Sequence, residues 1–246
     1  MEFSDKQVLI TGGGSGLGAD MALAFAQRGA RVVISGRRQA ALEAVAARHA
    51  RILPIVTDVT DEASVQSLFA TAGACQIVIA NAGIAESSAF SKMSLEAWNR
   101  VMSVNATGVF LTLREGLRQM QPGGRLIVIA SMLGLTGTAY TAHYTASKHA
   151  VVGLTRALAK EVARKGITVN ALCPGYLDTE MTEGSIETIM RSTGMSAEKA
   201  KAMLAAHNPQ DRLIPAAEVT SAALYLASES AASVNGQALS ICGGAL

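Results

Sequence analysis

The stretch Gln7-Val8-Leu9-Ile10-Thr11 is an apolar run of strand length, and Gly12-Gly13-Gly14-Ser15-Gly16-Leu17-Gly18 follows it with no linker. A helical pattern then carries Met21, Ala22, Leu23, Phe25 and Ala26 to a stop at Gly29. Strand, glycine turn and helix in immediate succession constrain the fold more than any other feature of the chain. Glycines let the backbone turn tightly and approach an anion, and the helix N-terminus offers free N–H groups and the positive end of its dipole. Two registers fit a dinucleotide-binding turn: Gly14-x-Gly16-x-x-Ala19, and the narrower Thr11-Gly12-x-x-x-Gly16-x-Gly18. A glycine-rich plain loop would give the same composition, but not this placement between a strand and a helix.

The alternation continues to the C-terminus. Apolar runs predict further strands at Arg31–Ser35, Arg51–Val56, Gln76–Ala80, Gly124–Ser131, Ile167–Cys173 and Ala238–Cys242. Helical patterns fall near Gln39–Arg48, Asp61–Ala70, Leu95–Met120, Ala142–Lys165 and Ala216–Ala227. Such alternation predicts an α/β fold with a parallel sheet covered by helices on both faces, and 246 residues suit a single domain, 1–246. Half of the residues are apolar, enough to fill a large core.

Three sets of polar residues stand where open α/β sheets place their ligands, at or beyond strand C-termini. Asn81-Ala82-Gly83 ends the run Ile77–Ala80, Ser131 ends Leu126–Ala130, and Tyr144-Thr145-Ala146-Ser147-Lys148 opens a helix. A spacing of four puts Tyr144 and Lys148 on one helix face. A phenol titrates near pH ~10, and an adjacent cation favours the phenolate, drawing its pKa toward the working range. An amphipathic Tyr beside a surface Lys would have the same spacing, so the pair gains meaning only from its neighbours.

Taken together, the motifs Thr11-Gly12-x-x-x-Gly16-x-Gly18, Asn81-Ala82-Gly83, Asn105, Ser131, Tyr144-x-x-x-Lys148 and Pro174-Gly175 with Thr179 resemble those of the short-chain dehydrogenase/reductase family. The resemblance runs from the first strand to the C-terminus. It implies a Rossmann-type, doubly wound, seven-stranded parallel sheet of order 3-2-1-4-5-6-7, and an oxidoreductase that interconverts a ketone and a secondary alcohol. Residue by residue, it assigns Tyr144 as proton donor or acceptor and Lys148 as the group that lowers the Tyr144 pKa and holds the nicotinamide ribose. Ser131 would hydrogen-bond the substrate oxygen, and Asn105, which interrupts the apolar pattern Val101–Leu117, would hold a proton-relaying water. A plain helix kink is the alternative for Asn105. Gly12, Ser15, Gly16, Leu17 and Gly18 would line the pyrophosphate, with Asp58 and Val59 at the adenine. Asn81, Ala82 and Gly83 would form the strand end beside the cofactor, and Pro174, Gly175 and Thr179 would reach the carboxamide. The family usually has Asn where Ala80 stands here; retention of Asn81 implies little damage to binding. The connection Thr71–Cys75 is shorter than the resemblance implies, so a truncated preceding helix is expected.

Cofactor choice turns on the end of the second strand, where an acid selects NAD and an arginine accommodates the 2′-phosphate of NADP. Gly36-Arg37-Arg38 carries no acid, which favours NADP(H). Ser15 occupies a loop position that is often basic in NADP-using relatives, and an arginine can also stack on adenine; NAD(H) stays as the alternative.

The segment Glu180–His207 carries Met181, Ile186, Ile189, Met190, Met195, Met203 and Leu204. Flexible thioethers suit an adaptable substrate cover near 180–208, and a simple helix-pair core reads equally well. Arg191, Lys199, Lys201 and Arg212 could meet the phosphates of a CoA or carrier-protein thioester, or form a solvated face. The C-terminal half resembles 3-oxoacyl-thioester and polyketide ketoreductases through Val169–Gly175 and Gln237–Gly244, so the expected substrate is a 3-oxoacyl-thioester. A free hydrophobic or aromatic secondary alcohol oxidised with NAD is the alternative, and an idle nucleotide-binding sensor or scaffold the alternative of another class.

A net charge of +2, with no basic run beyond Arg37-Arg38, leaves no footprint for nucleic acid or membrane. Cys75, Cys173 and Cys242 lie in apolar contexts and are expected to be free buried thiols of a cytoplasmic protein. The four histidines lack ligand spacing, so no metal is expected. Helix Ala142–Lys165 is apolar over a wide arc, with Val152 and Ala159 read as outward positions. The family's helix-to-helix contact then implies a dimer, and the terminal strand a second contact giving a homotetramer.

Overall fold

The computed structural model describes residues 1–246. Seven strands form one sheet: β1 (Gln7–Thr11), β2 (Arg31–Gly36), β3 (Ile52–Val56), β4 (Ile77–Ala80), β5 (Arg125–Ile129), β6 (Thr168–Pro174) and β7 (Ala238–Ile241). All neighbouring pairs are parallel, in the order β3-β2-β1-β4-β5-β6-β7. Parallel neighbours require crossovers, and the helices that supply them cover both faces. This is the doubly wound architecture expected from the alternation.

Each strand alternates side chains between two cores. Val8, Ile10, Ile77, Ile79, Ile127 and Leu172 face α1 (Gly16–Gln27) and α9 (Ala216–Ala227), packing with Met21, Phe25 and Leu226. Leu9, Val78, Leu126, Val128, Val169 and Ala171 face the other way, packing with Leu68, Leu113, Val151 and Val162. Those come from α3 (Glu62–Ala72), α5 (Gly108–Gln119) and α6 (Ala142–Val162). Burial on both faces explains why the central strands read as continuous apolar runs. At ~25 cal/mol per Å², each fully buried Leu, Ile or Phe contributes roughly 1.5–3 kcal/mol. The chain order reverses between β1 and β4, the switch point beyond whose C-terminal strand ends open α/β sheets form their ligand crevice.

Four sequence expectations need correction or refinement. The single helix expected over Leu95–Met120 is α4 (Leu95–Met102), a π-helical turn (Ser103–Thr107) and α5 in succession. Helix α3 runs past the expected end at Ala70 to Ala72, and Gly73 (φ 74°) turns the chain sharply toward β4. Between β6 and α9 the chain forms a helix pair, α7 (Glu180–Thr193) and α8 (Ala197–Ala205), with α2 (Gln39–Ala46) completing the set. On α6, Val152 and Ala159 are only 2% and 3% exposed, so they point into the core and not outward. The exposed face carries His149, Ala150, Gly153 and Ala157 instead. All three cysteines are free and buried. No helix is long and apolar enough to cross a membrane.

Candidate active site

The turn between β1 and α1 is built by contacts that no side chain could share. A Cβ on Gly18 would lie 2.2 Å from the Gly12 carbonyl oxygen, so α1 starts directly against the end of β1. The neighbouring strand end is pinned to this turn. Asn81 Nδ2 donates to the carbonyls of Thr11 (2.9 Å) and Gly12 (3.2 Å). In return, Thr11 Oγ1 accepts from the backbone N–H groups of Asn81 and Ala82, both at 3.1 Å. The Asn81 side chain is therefore committed to fixing β4 against β1. Leu17 and Val59 are buried, Val59 packing close to Gly108 of α5, while the loop backbone at Gly12, Ser15 and Gly16 borders the crevice.

At the end of β2, Arg37 and Arg38 are exposed. Arg38 Nη2 lies 3.1 Å from Ser15 Oγ and 3.7 Å from Glu180 Oε2 at the start of α7. One guanidinium thus links the glycine turn to the helix pair. Asp58 accepts from the backbone N–H (2.9 Å) and hydroxyl (2.7 Å) of Thr60. Those bonds hold its carboxyl below its ordinary range, with a smaller contribution from Arg37. Arg37 and Asp58 therefore share one rim of the crevice.

Beyond β4 and β5 the second group of residues converges. Asn105 sits inside the π-helical turn, fully buried. Its Oδ1 accepts from Ile84 N (2.9 Å), and its Nδ2 donates to Ile84 O (2.9 Å) and Ser147 Oγ (3.2 Å). The widened turn is what points this amide inward; both readings of Asn105, distortion and site, describe one feature. Lys148 is 4% exposed and donates from Nζ to the Ile129 carbonyl at 2.9 Å. A Cβ on Gly83 would lie 3.3 Å from Asn105 Oδ1 and 3.6 Å from Lys148 Nζ. Glycine there leaves a gap between the amide and the ammonium.

Ser131 stands two residues beyond β5 and caps the short turn that follows, its Oγ accepting from Leu133 N at 3.1 Å. Its hydroxyl also acts on the Tyr144 phenol, drawing that pKa down. Burial outweighs this and pushes Tyr144 up to about 12, while burial pushes Lys148 down to about 8. The expectation that Lys148 lowers the phenol's pKa is not met in the protein alone. The ammonium stands 5.6 Å from the Tyr144 ring centre, and desolvation acts on both groups. Near neutral pH this site holds a protonated phenol beside a buried cation.

After β6, Pro174 and Gly175 lead to a segment organised by Asn208, which is fully buried. Its amide bonds Tyr176 N (3.3 Å), Tyr176 O (3.1 Å) and Arg212 O (2.7 Å). A Cβ on Gly175 would fall 2.3 Å from Asn208 Oδ1. Thr179 precedes α7 and faces the glycine turn, 3.4 Å from where a Gly16 Cβ would lie.

The residues singled out in the glycine turn and after β4, β5 and β6 therefore stand at the C-terminal side of one sheet, with Asn81 positioning the end of β4. Three further residues matter that sequence reasoning passed over. Ser147 bonds Asn105, and its position one residue before Lys148 was the available signal. Tyr176 stands beside Tyr144 in a small apolar cluster with Met132, Leu133 and Cys242. Asn208 gave no signal beyond being a polar residue ahead of Pro209. The glycine turn, the gap at Gly83 and the exposed arginines fit a nicotinamide dinucleotide.

Comparison with known proteins agrees with this geometry. The family described as short chain dehydrogenase matches residues 6–189. The chain is 38% identical to the cis-4-hydroxycyclohexanecarboxylate dehydrogenase of Sinomonas cyclohexanicum, covering 98% of this chain and 97% of the relative. It is 33% identical to the 3-oxoacyl-acyl-carrier-protein reductase of Escherichia coli strain K12, covering 99% and 98%. Among solved structures, a variant of actinorhodin polyketide ketoreductase with NADPH superposes at a TM-score of 0.93 with 33% identity, covering 100% and 99%.

Proposed function

The chain belongs to the short-chain dehydrogenase/reductase family and is an NAD(P)-dependent enzyme acting on CH–OH and keto groups; we propose that it reduces a 3-oxoacyl-thioester to the 3-hydroxyacyl-thioester with NADP(H). The observation that carries the reading is the convergence of Ser131, Tyr144, Lys148 and Asn105 at one mouth of the sheet.

Gly12, Ser15, Gly16, Leu17 and Gly18 would hold the pyrophosphate, with Arg37 and Arg38 at the 2′-phosphate and Asp58 and Val59 near the adenine. Ala82, Gly83, Pro174, Gly175 and Thr179 would border the nicotinamide half, and Lys148 its ribose. When bound, the cofactor supplies the hydride. The proton comes from Tyr144, whose high pKa keeps the phenol protonated and able to donate to the carbonyl oxygen. Ser131 donates to the same oxygen, so the two hydroxyls fix the substrate and stabilise alkoxide charge as it develops. Lys148 keeps positive charge beside the reacting oxygens, in a buried site where that charge acts more strongly than in bulk water. The Gly83 gap gives Asn105 and Lys148 room for a water between them.

Support for NADP(H) comes from two exposed arginines at the end of β2 with no acid in Gly36-Arg37-Arg38 itself, although Arg38 also meets Glu180 of α7; the Arg38–Ser15 contact answers the absence of a base in the glycine turn. For a thioester carrying phosphates, Arg191 and Lys199 are the available cations, because Lys201 pairs with Asp178 and Arg212 with Glu218. A second reading, oxidation of a free hydrophobic or aromatic secondary alcohol with NAD, draws on the likeness to a dehydrogenase of a cyclic alcohol. Phe90, Tyr140, Met181 and Met190 are exposed apolar side chains on the segments that follow β4, β5 and β6, and they suit such a ring. Cofactor oxidation and reduction with acetoacetyl-CoA, longer oxoacyl-thioesters, aryl ketones and cyclic alcohols, each with both nicotinamides, separates the two. The first reading requires faster turnover of thioesters with NADPH; a preference for free cyclic alcohols with NAD selects the second.

We also propose a homotetramer, with one contact through the exposed face of α6 and another through β7, where Leu239 is exposed. A cytoplasmic location accompanies this reading, on the basis of the three free thiols.

A further inference from the structure

His143 precedes Tyr144 and is fully buried, yet neither of its ring nitrogens has a hydrogen-bond partner in the protein. A buried imidazole always carries at least one N–H donor and, when neutral, one acceptor; leaving both unmet costs ~1–3 kcal/mol each. Two unmet polar atoms on one buried ring point to water.

The ring's surroundings show where that water leads. Its position, four residues before Ser147, puts both on one face of α6, the face packed on α4 and the π-helical turn. Ser147 Oγ accepts from Asn105 Nδ2 at 3.2 Å, and Asn105 borders the gap beside Lys148. On the outer side, the charges acting on the ring are Glu86, from the loop after β4, and Arg100, from α4. These two form a bidentate pair, with Arg100 Nε to Glu86 Oε1 at 2.8 Å and Nη2 to Oε2 at 2.6 Å, partly open to solvent. Two hydrogen-bonded pairs thus bracket His143, Glu86–Arg100 toward the surface and Ser147–Asn105 toward the site, with Lys148 across the gap at Gly83.

We propose that His143 is a positioning residue for solvent, holding a file of water through which the reaction's proton passes between bulk at Glu86–Arg100 and the Asn105–Lys148 gap. The assignment rests on the proposed carbonyl chemistry. Ketone reduction consumes one hydride and one proton: the Tyr144 O–H bond breaks as the alcohol O–H forms, and a solvent proton must restore the phenol. The ring takes a proton from water at one nitrogen and releases one from the other, which interchanges its two tautomers, and a flip of the ring restores the starting tautomer before the next turnover.

Two measurements test this. In 15N-histidine spectra of the intact protein, the His143 ring should exchange protons with water rapidly despite its burial. A dry, slowly exchanging ring would overturn the proposal whatever the enzyme turns over. In kinetics, His143→Asn keeps a polar side chain but cannot carry a proton in this way. Its kcat for reduction should fall about tenfold at pH above ~8, where free protons are scarce, less than the ~10²-fold expected for loss of a direct acid. It should approach wild type near pH ~6 and recover with added imidazole, with Kd for the cofactor unchanged. Glu86→Gln should shift the same profile in the same direction. A His143→Asn profile parallel to wild type, or a uniform loss at all pH that imidazole does not relieve, would overturn the solvent path.

Discussion

The Lys148 ammonium stands 5.6 Å from the centre of the Tyr144 ring, and its Nζ is spent on the Ile129 carbonyl at 2.9 Å. The two groups share a helix face but do not bond each other, and burial moves their pKa values in opposite senses: Tyr144 to about 12, Lys148 to about 8. The site is thus strained electrostatically toward a neutral acid beside a reluctant cation.

Replacing Lys148 by Met should stabilise the protein while crippling it. A lysine held near 8 against its ordinary 10.5 carries a penalty of roughly 3 kcal/mol for its charge at neutral pH. Loss of the bond to Ile129 O returns about 1 kcal/mol of that gain. With ~2–4 °C per kcal/mol in a domain of this size, calorimetry should show Tm rising by several degrees without cofactor, while turnover and cofactor affinity fall. A lower Tm would mean that the ammonium is not destabilised by burial.

The pH dependence follows from the same residue. Between pH 8 and 10.5 the unfolded chain still binds the Lys148 proton while the fold has released it, so this contribution to stability rises with pH across that window and is least below it. The Tm gap between Lys148→Met and wild type should therefore shrink from pH 7 to pH 10. Reduction should decline as pH passes about 8 with loss of the Lys148 charge, well before Tyr144 titrates.

Arg37→Asp should weaken NADPH far more than NADH, because a like charge would face the 2′-phosphate. A charge-assisted bond is worth roughly 1.5–3 kcal/mol, or about ten- to a hundredfold in Kd. Titration by fluorescence with both nucleotides checks this; equal losses would assign Arg37 to adenine stacking.

Assembly is tested on the exposed face of α6. Ala150→Glu or Gly153→Glu should split the oligomer by light scattering, whereas Val152→Glu should unfold the chain, since Val152 is 2% exposed. An oligomer unchanged by either surface charge would place the contact elsewhere.

Val152 and Ala159 show where the sequence stopped being informative. A helix apolar on most sides buries whichever face the sheet takes, and composition alone does not say which face that is. The central strands were readable because Ile77–Ala80 and Arg125–Ile129 are buried on both sides and leave continuous apolar runs. The turn at Gly12–Gly18 was readable because close packing at Gly12, Gly13 and Gly18 leaves no room for a Cβ. Asn105 was visible as an interruption, but the π-helical turn that aims it, and its bond to Ser147, arise from packing of α4, α5 and α6 that no local pattern encodes. The same holds for Asn208, whose three bonds organise the segment after β6, and for the upward shift of Tyr144, which depends on how deeply the helix is buried.

The central claim is that Tyr144 supplies the proton for carbonyl reduction. It is tested most directly by single-turnover NADPH oxidation with acetoacetyl-CoA and a cyclic ketone, in wild type and Tyr144→Phe, with Kd for NADPH measured alongside. Wild type should convert ketone to alcohol mole for mole with NADPH, and Tyr144→Phe should bind NADPH normally while losing at least ~10²-fold in rate. A Tyr144→Phe enzyme that keeps more than about a tenth of the wild-type rate, against the ~10²-fold loss expected for a direct acid, would contradict the assignment.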